Sequence, residues 1–148
     1  MRLLTTLLIV SFSYAPQLWA ASCQVEINGS DAMMYDTKEI AVDSACPEFV
    51  LTLRHTGGLP VNIMGHNVVF VKDDDFKAVV GSINMSHGAA GGYLSSDSPV
   101  LAKTALIGGG ETTQVTVDAS VFEKGGSYTF FCSFPGHYTM MKGVFAFN

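Results

Sequence analysis

The feature that most restricts the fold is a period-two pattern in short runs cut off by glycine. In Phe49-Val50-Leu51-Thr52-Leu53 the odd positions put Phe49, Leu51 and Leu53 on one face, and Thr113-Gln114-Val115-Thr116-Val117 repeats the pattern. Similar runs at Gln24–Ile27, Glu39–Val42, Glu48–His55, Asn67–Val71, Leu101–Ile107, Thr112–Val117, Ser127–Cys132 and Lys142–Phe147 predict eight short strands. Gly57-Gly58, Gly108-Gly109-Gly110 and Gly125-Gly126 lie between them as turns. With 48% hydrophobic residues, ten Phe and 14% charged residues, the expectation is an all-β sandwich or barrel. The stretch Asp74 to Asp97 differs: Phe76, Val79, Val80 and Ile83 recur at three- and four-residue intervals, which predicts one short helical insert that Gly81 weakens or ends.

Arg2, the apolar run Leu3 to Val10 and the small residues Ala20 and Ala21 have the order of a secretory signal peptide. Residues 1–20 are expected to be that signal, cut after Ala20, although Leu18 departs from the small residue usual two positions before the cut. The run is too short and interrupted to span a bilayer, so no membrane span is expected. No repeat or linker divides residues 21–148, which read as one domain. Export implies an oxidising compartment, most simply a bacterial periplasm. Eight Lys+Arg against thirteen Asp+Glu give a net charge of -5, without the basic patch that nucleic-acid binding requires.

The chain has three cysteines, Cys23, Cys46 and Cys132. Cys23 precedes the first strand and Cys46 the third, so a bridge between them would staple neighbouring segments and add ~3 kcal/mol by restricting the unfolded chain. Cys132 is then left alone at the end of an apolar strand, where a free thiol in an oxidising compartment is a liability unless buried or bound.

Around Cys132, the stretch Cys132-Ser133-Phe134-Pro135-Gly136-His137, with Met140 and Met141 beyond it, brings thiol, imidazole and thioether onto one strand-loop-strand turn. Pro135-Gly136 reverses the chain, so Cys132 and His137 can face one point and a Met can reach it from the side. Two His, one Cys and a weak axial Met form a blue-copper electron-transfer site. Of the remaining histidines, His66 in Met64-Gly65-His66-Asn67, at the start of an apolar strand, suits the second imidazole. His87 lies in the Gly/Ser-rich insert and reads as solvated, and His55 reads as an ordinary buried imidazole.

Met64-Gly65-His66-Asn67 upstream of Cys132-Ser133-Phe134-Pro135-Gly136-His137 and Met141 resembles the azurin family, the bacterial type 1 blue-copper cupredoxins. The Cys23/Cys46 pair, Leu59-Pro60 and Leu106-Ile107-Gly108 match as well, so the resemblance covers essentially all of residues 21–148. It implies a Greek-key β-sandwich with one copper at one end. Carried over, it makes His66, Cys132 and His137 the trigonal ligands, Met141 the long axial ligand and the Gly65 carbonyl the opposite weak contact. The family spacing from His to Met selects Met141 over Met140. Asn67 would tie the two ligand loops together, and Met64, Phe134 and Pro135 would form an uncharged docking patch around the His137 edge. Two departures stand out: Val68 replaces a frequent core Trp, and His55-Thr56-Gly57 replaces a His-Pro-Gly turn.

The resemblance implies a monomeric periplasmic electron carrier rather than an enzyme, cycling copper between Cu(II) and Cu(I) and exchanging electrons with c-type cytochromes and periplasmic reductases. A copper chaperone or storage protein is the alternative; delivery, however, favours exposed ligands. Copper oxidases and nitrite reductases need further copper centres and a second domain, for which the chain is too short. Asp73-Asp74-Asp75 reads as a solvated loop that could steer a basic partner.

Overall fold

A computed structural model describes residues 23–148; the expected signal peptide lies outside the described residues. The strands are β1 (Gln24–Ser30), β2 (Met34–Tyr35), β3 (Glu39–Val42), β4 (Glu48–His55), β5 (Val69–Lys72), β6 (Ala102–Lys103), β7 (Thr112–Asp118), β8 (Tyr128–Phe131) and β9 (Lys142–Phe147). The helices are α1 (Val61–Met64) and α2 (Asp73–Gly81). One sheet runs β2-β1-β4-β7 and the other β3-β9-β8-β5-β6. The pairs β1/β4 and β3/β9 are parallel and the rest antiparallel, the crossed connectivity of a Greek-key sandwich. Among the described residues no helix is long and apolar enough to cross a membrane.

The period-two pattern does what the sequence implies. Phe49, Leu51 and Leu53 are fully buried and pair with Val117, Val115 and Thr113 across β4 and β7. They meet an aromatic layer from the other sheet: Phe49 lies edge-on to Phe70 and stacked on Phe145, with Phe122 against all three. Val68 is fully buried in the same core cluster as these phenylalanines. Cys23 and Cys46 form a disulfide with their Cα atoms 5.8 Å apart.

Two expectations are corrected in detail. The helix starts at Asp73, so Asp73, Asp74 and Asp75 form its first turn rather than a loop, where their charge complements the helix N-terminus. The strand expected over Leu101–Ile107 pairs only at Ala102–Lys103. Beyond that it leaves the sheet to form a single bridge between Ile107 and His66.

Candidate metal centre

The end of the sandwich where β8 stops and β5 and β9 begin brings together the loops that carry the candidate ligands, since Phe131 pairs with both Val69 and Lys142. His66 follows the short helix α1 and is clamped by reciprocal main-chain hydrogen bonds with Ile107, each 2.9 Å. Its neighbour Gly65 has no room for a side chain, because a Cβ there would lie 2.5 Å from the Val61 carbonyl oxygen. On the other loop the Cys132 N–H donates to the Met141 carbonyl (3.0 Å). Gly136 adopts φ 86°, a left-handed turn that glycine enters without strain, and the His137 N–H donates back to the Phe134 carbonyl (3.0 Å).

The turn therefore delivers His137 beside Cys132. One nitrogen each of His66 and His137 and the Cys132 sulfur lie within 4.8 Å of one another, and all three side chains are buried. The Cys132 Sγ is 3.7 Å from His137 Nδ1 and 3.7 Å from the Gly65 carbonyl oxygen. Met141 is fully buried whereas Met140 is 55% exposed, so the two adjacent methionines point to different environments. Met64, Phe134 and Pro135 are partly exposed on the loops that carry His66 and His137.

Asn67 joins the loops. Its Nδ2 donates to Ser133 Oγ (2.9 Å) and its Oδ1 accepts from the Ser133 N–H (2.9 Å), while Ser133 Oγ donates on to the Gly92 carbonyl (2.6 Å). The other histidines lie outside the cluster. His55 stacks on His66 with ring centroids 4.2 Å apart, but its Nε2 donates to the Met64 carbonyl (2.7 Å) and its Nδ1 accepts from the Gly57 N–H (3.1 Å), so both nitrogens are occupied. His87 is exposed. Sequence reasoning missed the contribution of the β1–β2 ribbon. Ser30 supplies a carbonyl to His66 and Tyr35 a hydroxyl to Asn67, and neither carries a motif that would betray it.

Burial sets the electrostatics. It pushes the Cys132 thiol up to about 11, against the opposing pull of the Asn67 and Phe134 N–H groups. It also lowers His66, and brings His137 down to about 4 with help from the neighbouring His66 and His55. These directions predict the stability of the metal-free protein. Between about pH 6.5 and 4 the unfolded chain takes up protons on His66 and His137 that the folded chain refuses, so stability falls as pH is lowered. Between 9.0 and about 11 the folded chain keeps a thiol proton that the unfolded chain releases, so stability also falls as pH rises. Thermal unfolding across pH should show both limbs; a midpoint that holds constant from pH 6.5 down to 4 would contradict the acid one.

The cluster fits a cation on its own geometry. The neutral His66 ring has one N–H for two carbonyl oxygens, that of Ser30 at 2.9 Å from Nε2 and that of Gly65 at 2.9 Å from Nδ1. If Nε2 donates to Ser30, the Nδ1 lone pair faces an acceptor oxygen, an arrangement that a cation relieves. A sulfur and two imidazoles are the donor set that copper takes.

A buried His-Cys-His cluster closing one end of a Greek-key β-sandwich defines a cupredoxin-type copper–thiolate protein. Comparison with known proteins agrees: residues 21–148 match the copper-binding proteins of the plastocyanin/azurin family. The chain is 48% identical to the azurin of Alcaligenes faecalis over 83% of its own length and 96% of that protein. With the azurin of Pseudomonas aeruginosa it shares 44% identity over 97% of each chain. The chain thus belongs to the plastocyanin/azurin family. It is a blue-copper electron-transfer protein with one copper, for which His66, Cys132 and His137 form the ligand group.

Proposed function

We propose that His66, Cys132 and His137 would hold the copper, with the Met141 thioether and the Gly65 carbonyl as further contacts. When bound, the metal supplies a one-electron couple, Cu(II)/Cu(I). The chain's own residues make that couple fast by moving little. Asn67 cross-links the ligand loops, the Ile107 bridge clamps His66, and the Cys132–Met141 hydrogen bond ties the loop after β8 to Met141. Reorganisation adds to the activation barrier, so a preset ligand cage lowers it.

The single observation that carries the reading is the convergence of three buried ligands from two braced loops. Burial to 3% or less also speaks for a carrier rather than an enzyme or a copper-delivery protein, since it leaves neither substrate nor acceptor protein a route to the ligands. Electrons would pass through the His137 ring, packed 4.4 Å from Phe134, to a patch formed by Met64, Phe134 and Pro135. An uncharged patch of this kind suits brief docking. We place the working protein in the periplasm as a monomer, residues 21–148 after removal of residues 1–20, with c-type cytochromes and periplasmic reductases as partners. Stopped-flow mixing of the copper-loaded protein with a reduced c-type cytochrome should show rapid second-order oxidation of the haem. Second-order rates fast enough for a carrier should persist as salt is raised. Failure to oxidise the haem, with the copper site spectroscopically intact, would contradict the partner assignment.

A further inference from the structure

The small ribbon of β1 and β2 forms a shelf beneath the ligand segment His66-Asn67. Gly29, paired with Tyr35 across the ribbon, leaves room for the His66 ring, since a Cβ there would lie 2.7 Å from His66 Cδ2. The next carbonyl, Ser30, takes the His66 Nε2 hydrogen. Tyr35 completes the shelf. It is 3% exposed, its ring packs 5.6 Å from Phe130, and its hydroxyl donates to the Asn67 main-chain carbonyl. Asn67 is itself fully buried, so water cannot replace that donor.

We infer that Tyr35 is a positioning residue of the copper centre: by holding the Asn67 main chain from below, its hydroxyl keeps the Asn67 N–H directed at the Cys132 sulfur and thereby helps set the reduction potential. This rests on Cys132 being a copper ligand. The Asn67 N–H favours the anionic form of that sulfur. Donors to a thiolate matter more in the reduced state, where the metal charge offsetting the sulfur is smaller, so they raise the potential. Loss of the hydroxyl loosens that amide and so lowers the potential.

The test compares Tyr35→Phe, which keeps the ring and its contact with Phe130, with Ile40→Val, a mild core truncation in β3 that controls for lost stability. In copper-loaded Tyr35→Phe the reduction potential should fall and the thiolate-to-copper absorption maximum should shift. In the metal-free form the Asn67 amide should exchange its hydrogen about tenfold faster, the effect of losing roughly one hydrogen bond. Ile40→Val should change none of the three. If Tyr35→Phe retains the potential, the absorption maximum and the Asn67 exchange rate of the unaltered protein, the inference is overturned even if the variant melts earlier. Failure of the unaltered protein to develop the absorption would instead reject the ligand assignment, while the exchange experiment on metal-free protein would still decide the role of Tyr35.

Discussion

Copper-loaded Cys132→Ser is expected to be essentially colourless. The intense absorption of a blue-copper site is charge transfer from thiolate sulfur to Cu(II), and a serine hydroxyl is neither soft nor anionic near neutral pH. The replacement changes one atom in a fully buried position flanked by Phe131 and Ser133. The Cys132 N–H to Met141 carbonyl bond is main chain and survives it. The fold should therefore persist, and far-ultraviolet circular dichroism checks that while visible absorption reads the site. A folded Cys132→Ser protein that kept the full band would show that Cys132 is not the sulfur ligand.

Asn67→Ala is expected to cost about 3 kcal/mol of stability, combining one orphaned buried N–H with a small cavity. Ser133 loses the acceptor of its N–H and one partner of its hydroxyl, and keeps only the Gly92 carbonyl for the latter. Because Asn67 binds the His66 loop to the Cys132 loop, the loss should also speed release of copper. Denaturant unfolding of the metal-free form measures the first effect and transfer of copper to a chelator the second. A variant with unchanged stability and unchanged copper release would mean that the two loops are held by other contacts.

Period-two runs and glycine turns were enough to locate the long strands, because a sandwich strand shows its buried face directly in Phe49, Leu51 and Leu53. Elements with few residues to carry a pattern were not legible: β2 has two residues and α1 has four. The strand expected from Asn67 starts instead at Val69, and the physical reason lies in the site. The Asn67 carbonyl accepts from the Tyr35 hydroxyl and the Val68 N–H goes to the Thr104 hydroxyl, so regular pairing begins only at Val69. The ligand cluster itself was readable because Cys132, His137 and Met141 are close in sequence and one turn folds them together. The supports from Gly29, Ser30 and Tyr35 were not, since a carbonyl, an absent side chain and a buried hydroxyl carry no local signature. His55 and His66 illustrate the difference: both are buried and stacked on one another, and only the hydrogen-bond partners of each ring tell ligand from scaffold.

The most direct test of the central claim is a titration of metal-free protein, residues 21–148, with Cu(II), followed by visible absorption. A single intense thiolate-to-copper band that saturates at one copper per chain is the predicted result. A protein that folds, carries its Cys23–Cys46 bridge and remains colourless at one equivalent would contradict the account, returning Cys132, His66 and His137 to packing roles or to a spectroscopically silent ion such as zinc.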